Sequence, residues 1–339
     1  MLGTCDSLLL IGTVLGLSCA AVTAILIVML RPLLARYALA RPNARSSHKV
    51  PTPQGGGMAI VIAASIGIAL ALILCPHFGP VSPILAALAA STCLAIVGAA
   101  DDIFVLRAAP RLALQLVSAG LIVIVGGARV VPALPIELEV GVLVLALVLF
   151  VNLVNFMDGI DWITVAEVVP VCAGIATIAA LGEAPASSFI VAIAVGGATL
   201  GFAPFNRPIA RLFLGDVGSL PLGLLLGWQL IVIAASHHHV AALILPLYYL
   251  ADATVTLGRR VARRERVWEA HRTHYYQRAT DRGYTVLAIV TRVFVTNLVL
   301  VAIAIATVLH PELTVQLGGL ALGAVAVACL LVAFHRGVR

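Results

Sequence analysis

Long unbroken apolar runs, separated by short polar strings, dominate this chain. Eleven stretches qualify: Leu8–Leu30, Gly57–Cys75, Pro83–Ala99, Leu112–Val125, Gly141–Met157, Ile163–Leu181, Ser187–Ala203, Ser219–Ala235, Val240–Leu257, Tyr284–Val308 and Leu313–Phe334. A helix of about 20 apolar residues crosses a hydrocarbon core about 30 Å thick. Membrane strands instead alternate apolar and polar residues over about ten positions, and these runs do not alternate. The pattern predicts an all-α, polytopic membrane helical bundle of about eleven transmembrane helices, with residues 1–339 forming one transmembrane domain. Leu112–Val125 is short for a span, so it is expected to be shifted or tilted. Leu8–Leu30 lacks a basic flank and exceeds the apolar length of a signal peptide, which marks it as a retained first helix.

Composition agrees. Apolar residues make up 62% of the 339 and charged residues 11%, against about 45–50% and about 25% in soluble domains. All but two of the 21 lysines and arginines fall in the loops after odd-numbered runs or in the tail; the exceptions are Arg129 and Arg292. Basic loops face the cytoplasm, which puts the N-terminus on the periplasmic side and the C-terminus inside. The net charge of +6 is this loop bias. No basic helix with interleaved aromatics suggests nucleic acid. The six cysteines lie in or beside apolar runs without CxxC spacing, so neither a disulfide framework nor a zinc site is expected.

The acidic residues carry the functional argument. Asp101, Asp102, Asp158, Asp161 and Asp216 all sit at expected cytoplasmic helix ends, in three separate loops. A carboxylate beside hydrocarbon is costly and marks a functional position. Five on one face need a cation or donors to balance them. Asp101 and Asp102 close the string Gly98-Ala99-Ala100-Asp101-Asp102, and adjacent carboxylates suit metal proximity or general-base work; Arg107 and Arg111 follow to neutralise an anionic substrate. Asn152, Asn155 and Asp158 share one helix face within a string that ends at Asp161, and such groups can read a base or a sugar. Asp216 stands between two glycines in Phe213-Leu214-Gly215-Asp216-Val217-Gly218-Ser219. Magnesium takes one or two protein carboxylates plus substrate phosphates, which suits Asp216, and Phe213 is placed to stack on a base. His48-Lys49-Val50-Pro51-Thr52-Pro53-Gln54-Gly55-Gly56-Gly57 is a shaped loop in which Lys49 can pair with phosphate. The string His271-Arg272-Thr273-His274 in the longest basic loop offers phosphate contacts. The tract His237-His238-His239 looks metal-binding but falls on the opposite side, and is read as a polar loop.

Taken in order, TPQGGG, GAADD, NFMDGID, FLGDVGS and the histidine loop resemble the polytopic polyprenyl-phosphate N-acetylhexosamine-1-phosphate transferases (glycosyltransferase family 4), which include the phospho-N-acetylmuramoyl-pentapeptide translocase. The resemblance implies transfer of a sugar phosphate from a UDP-N-acetylhexosamine to undecaprenyl or another polyprenyl phosphate, with release of UMP. It implies Mg²⁺, replaceable by Mn²⁺, on Asp216; a catalytic pair Asp101 and Asp102; and further catalytic or phosphate-contacting groups in His271 and His274. It also implies substrate contacts at Lys49, Asn155, Asp158, Asp161 and Phe213, to which the reading of the polar strings adds Arg107, Asn152 and Arg272. The chain would sit in a bacterial inner membrane with its site facing the cytoplasm, in contact with membrane lipid, and a homodimer is compatible with this reading. Two departures stand out. Trp162 replaces the glycine that often ends the DGIDG string and would reshape the sugar pocket, and the histidine loop carries two histidines where many members have three. The loop also lacks the PxHHHF pattern of the peptidoglycan translocase, which points to the branch that initiates O-antigen or other surface polysaccharide. The alternatives are peptidoglycan precursor transfer and, in a different class, a lipid-linked-sugar or small-molecule transporter, whose ionisable groups would lie nearer the midplane.

Overall fold

A computed structural model describes residues 5–40, 51–75, 79–104, 106–266 and 271–338. The described residues form α1 (Cys5–Tyr37), a minimal antiparallel pair β1 (Leu39–Ala40) and β2 (Thr52–Pro53), α2 (Gly57–Leu74), α3 (Val81–Phe104), α4 (Ala108–Gly126), α5 (Ile136–Met157), α6 (Ile163–Ala180) and α7 (Ala186–Phe202). A 3-10 turn (Ala203–Phe205) follows, then α8 (Asp216–Ala235), α9 (His239–Ile244), α10 (Leu247–Ala262), α11 (Tyr275–Asp281), α12 (Val286–Leu309) and α13 (Leu313–Arg336). Ten of these helices are long and apolar enough to cross a membrane. The chain is an all-α, multi-pass membrane protein.

Ten of the eleven expected spans are continuous helices. The ninth, Val240–Leu257, is interrupted: α9 stops at Ile244 and α10 starts at Leu247. Pro246 sits in the break, and a proline lacks the N–H and clashes with the carbonyl four residues back. Beyond it, α10 is amphipathic, burying Tyr248, Tyr249, Asp252 and Thr256 and ending on Arg259 and Arg260. The short fourth run gains a turn at its start and becomes α4, 19 residues long. At the end of α3 the helix continues past Ala99, so Asp101 and Asp102 belong to its last turn.

α8 lies at the centre, with every residue from Val217 to Leu230 buried, and α3 and α5 pack along it. α6 and α7 pack on each other, α6 also on α12 and α7 on α1. Leu9, Leu17, Leu121, Leu145, Leu149, Leu317 and Leu322 are exposed, as expected of a surface solvated by acyl chains. Lipid tails are as apolar as leucine, so helix association rests on close packing of small residues and on interhelical hydrogen bonds. Both occur here. The start of α2 crosses the start of α8 at Gly57 and Gly218, and α3 meets the same point at Gly98; a Cβ on Gly57 would overlap the Gly218 backbone, and one on Gly98 would overlap the backbone of Asp216 and Val217. Inside the bundle, Asn297 on α12 donates to Glu167 on α6 at 2.7 Å.

The loops at this crossing pair with each other. Phe213 N–H donates to Pro53 O, Gly56 N–H to Phe213 O and Gly57 N–H to Leu214 O, each at 2.9 Å. The TPQGGG and FLGDVGS strings thus form one short ladder that carries the ends of α2 and α8 together.

Candidate active site

Three helix ends supply the acidic groups, and the glycine crossing brings them to one place. Asp216 is the first residue of α8, Asp102 lies in the last turn of α3, and Asn155 and Asp158 lie at the end of α5. The orphan amides that open α8 need acceptors, and Asp102 provides them: Asp216 N–H donates to Oδ1 at 3.0 Å and Val217 N–H to Oδ2 at 3.2 Å. Gln54 Nε2 donates to Asp102 O at 2.8 Å, tying in the loop before α2. Asp101 points elsewhere. It accepts from Leu106 N–H at 2.6 Å and from Arg111 Nη1 at 2.5 Å. The same guanidinium nitrogen lies 3.4 Å from Asp216 Oδ2. Asn155 Nδ2 donates to Asp216 Oδ1 and to Ser219 Oγ, both at 2.8 Å. Thr164 Oγ1 donates to Asp158 Oδ1 at 2.5 Å, and Ala210 N–H to Asp161 Oδ2 at 2.9 Å.

These groups wall a cavity of about 220 Å³ lined by Gln54, Asp102, Asn155, Asp158–Asp161, Asn206 and Phe213–Asp216. Four carboxylates face it, and among the described residues no lysine or arginine does. Loss of hydration, opposed by the Thr164 hydroxyl and reinforced by the charges of Asp216 and Asp161, pushes the Asp158 carboxyl up to about 7. Arg111 stands behind the wall between Asp101 and Asp216.

Six residues expected at the site line this cavity: Asp102, Asn155, Asp158, Asp161, Phe213 and Asp216. Asp101 joins through Arg111. The others lie elsewhere. Asn152 faces α4, where Nδ2 donates to Gln115 Oε1 at 2.6 Å; three residues back along α5, its side chain is spent on helix contact. Arg107 is exposed at the start of α4, one turn before Arg111, which takes the inward position. His274 is buried, with Nδ1 3.3 Å from Asp252 Oδ1. Thr273 Oγ1 meets the His271 ring at 2.9 Å. Arg272 pairs with Asp281 at 3.3 Å and lines a separate cavity with Arg259, Arg260 and Arg263. Lys49 lies outside the described residues. Trp162 does not line the cavity: its indole N–H donates to Ala203 O at 2.6 Å and its backbone N–H to Asn206 Oδ1 at 2.8 Å, so it fastens the acidic loop to the turn after α7. The histidine tract lies with Arg129 and Glu183, His238 Nε2 being 3.2 Å from Glu183 and His239 Nε2 2.9 Å from Val130 O.

Two contributors, Gln54 and Asn206, were not expected as site residues, and Arg111 was expected only beside Arg107 to neutralise an anionic substrate. Gln54 and Asn206 line the cavity, and Arg111 bridges two of the carboxylates. The only sequence signal for Gln54 was its place in the proline- and glycine-rich string, and for Asn206 a polar residue just past an apolar run.

Comparison with known proteins converges on the same stretch. Residues 84–234 match glycosyl transferase family 4. The decaprenyl-phosphate N-acetylglucosaminephosphotransferase of Mycolicibacterium smegmatis (strain ATCC 700084 / mc(2)155) is 30% identical over 241 residues, 62% of this chain and 57% of that protein. The phospho-N-acetylmuramoyl-pentapeptide-transferase of Bartonella quintana (strain Toulouse) is 31% identical over 172 residues, 46% of this chain and 47% of that protein. The enzyme of the same name from Symbiobacterium thermophilum is 32% identical over 206 residues, 54% of this chain and 61% of that protein. The chain thus spans about half the length of the curated relatives it matches. The family match runs from α3 through α8 and so contains Asp101, Asp102, Asn155, Asp158, Asp161, Phe213 and Asp216; it is this segment, the one that carries the cavity's acidic groups, that is similar to glycosyl transferase family 4.

Proposed function

We propose that this protein transfers N-acetylhexosamine-1-phosphate from a UDP-sugar to undecaprenyl or a related polyprenyl phosphate. The observation that carries the reading is the meeting of Asp102, Asn155, Asp158, Asp161, Phe213 and Asp216 around one cavity at the helix ends. The relatives support the reaction class: one is a decaprenyl-phosphate N-acetylglucosaminephosphotransferase, another a phospho-N-acetylmuramoyl-pentapeptide-transferase. Bias of the basic loops supports a cytoplasmic site in a bacterial inner membrane. The initiation of surface polysaccharide remains the favoured pathway class, on the loop pattern around His271 and His274.

The lining fits a hard divalent cation. Among the described residues no three His, Cys, Asp or Glu side chains form a ready-made metal group, but magnesium needs only one or two carboxylates beside substrate phosphates. Asp216 lines the cavity, and its Oδ2 lies at the long distance of 3.4 Å from Arg111, with the Asp101 carboxyl beside it. A cation between these like charges is favoured, so Asp216 is the group that would hold Mg²⁺, which would supply charge neutralisation at the diphosphate. The protein's own groups do the rest. Phe213 offers a face for the uracil ring, and Asn155, Asp158 and Asp161 orient the sugar nucleotide. Asp102 fixes the start of α8 and Arg111 meets the acceptor's charge. An acceptor phosphate oxygen forms the new bond to the sugar-side phosphorus while the bond from that phosphorus to UMP breaks. UMP leaves with the electron pair, and Asp101 or Asp102 takes any proton left on the acceptor phosphate.

Purified protein, undecaprenyl phosphate, Mg²⁺ and a panel of UDP-N-acetylhexosamines test this directly. Equal amounts of UMP and lipid-linked sugar are expected with at least one donor. Accumulation of a sugar nucleotide or lipid-linked sugar in sealed vesicles without UMP would instead favour a transporter.

A further inference from the structure

The histidine loop does not reach the cavity, yet it touches the loop that walls it. Asp252, on α10, is completely buried. Its carboxylate accepts from Tyr275 N–H at 2.9 Å, Tyr276 N–H at 3.2 Å, Thr256 Oγ1 at 3.2 Å and Tyr248 Oη at 3.3 Å, and lies 3.3 Å from His274 Nδ1. One aspartate therefore satisfies the opening amides of α11 and fixes that short helix in place. The first turn of α11 then projects Tyr276, also completely buried and stacked on His274 with ring centroids 5.8 Å apart. Its hydroxyl donates to Phe156 O at 3.1 Å, beneath the Asp158–Asp161 loop. The same hydroxyl and Gln277 Nε2 press against Gly159, where an added Cβ would overlap the Tyr276 oxygen and lie 2.9 Å from Gln277 Nε2. Burial, with the Asp252 charge, holds the phenol well above its ordinary value, so it stays a donor.

We infer that Tyr276, anchored through Asp252, is a positioning residue: its hydroxyl clasps the 156–161 turn and sets Asp158 and Asp161 for the sugar nucleotide. The effect on substrate rests on the proposed transfer reaction; the clasp itself does not. Tyr276 does not line the cavity, so it acts on the wall, through the hydrogen bonds of one hydroxyl to the backbone of Phe156 and Gly159.

Tyr276→Phe keeps the ring and removes one oxygen. Tyr284→Phe, on the far side against Phe334, is the control. In the intact detergent-solubilised protein, amide exchange in 156–161 should rise several-fold in Tyr276→Phe, with α12 and α13 unchanged. The KM for the UDP-sugar should rise about tenfold, the scale of one lost hydroxyl's hydrogen bonding, while the KM for polyprenyl phosphate stays put. Unchanged exchange in 156–161 overturns the clasp, and so does a rise spread over the whole chain. Unchanged KM with raised exchange overturns its role in setting the cavity. If the wild-type protein transfers no sugar phosphate at all, the reaction assignment fails, and the exchange measurement still decides the clasp.

Discussion

One guanidinium stands against five aspartates at the end of α3, α5 and α8. Arg111 contacts Asp101 and Asp216, and among the described residues no other lysine or arginine borders the cavity. That imbalance is the physical case for a divalent ion and for Asp216 as its holder. Asp216→Asn keeps an oxygen to accept from Asn155 and removes the charge. Turnover should fall by at least about 10²–10³-fold, the cost of losing a preorganised charge contact, with the melting temperature little changed. Near-normal release of UMP by that variant would take Asp216 out of the metal role. The aspartates were legible because carboxylates at the edge of hydrocarbon are rare and costly. The sequence reads both arginines as neutralising an anionic substrate, with Arg107 the one expected to contact it. Residues four apart share a helix face, so the difference lies in where α4 begins, with Arg107 at its N-cap and Arg111 in its first turn, and that start could not be fixed from a short apolar run.

Helix ends, more than helix bodies, shape this molecule. α2, α3 and α8 converge because Gly57, Gly98 and Gly218 leave no Cβ between them. Gly98→Val forces a side chain into the Asp216 backbone. Overpacking of this kind costs about 1–3 kcal/mol, and here it also moves the cavity wall. Thermal unfolding should shift down and transfer should be lost with it. Gly120→Ala, on α4, is the contrast: a Cβ there meets nothing within 4 Å, and alanine is the better helix former by about 0.5–1 kcal/mol, so stability should hold or rise. Equal melting temperatures for the two variants would remove close packing as the reason for the crossing. The broken ninth span is the other element-scale feature. Pro246 frees α10 to leave the line of α9, and α10 carries Asp252, which anchors α11.

On the scale of the whole molecule, the basic loops and the cavity lie at the same ends of α1, α3 and α8, while Arg129, Glu183 and the histidine tract gather at the other. The positive-inside rule supports the proposed orientation, with the cavity on the cytoplasmic side, and thiol labelling tests it. In a cysteine-free background, an impermeant maleimide should label His237→Cys in intact cells and Arg264→Cys only after the membrane is opened. Labelling of Arg264→Cys in intact cells would invert the assignment and take the site away from a cytoplasmic nucleotide.

By itself the sequence determined the solvent, the spans and the acidic cluster. Apolar runs near 20 residues have one stable outcome in lipid, since every backbone group must bond within its own helix, and charged residues collect where those runs stop. Only the tertiary structure decided which polar groups share a cavity. Asn152 and Asn155 look alike in the sequence, yet α4 claims one and Asp216 the other. His274 reads as a phosphate contact beside its arginines, yet Asp252, 22 residues earlier, draws it inside. Such choices depend on the rotation of each helix against its neighbours, and side-chain contacts between distant segments set that rotation.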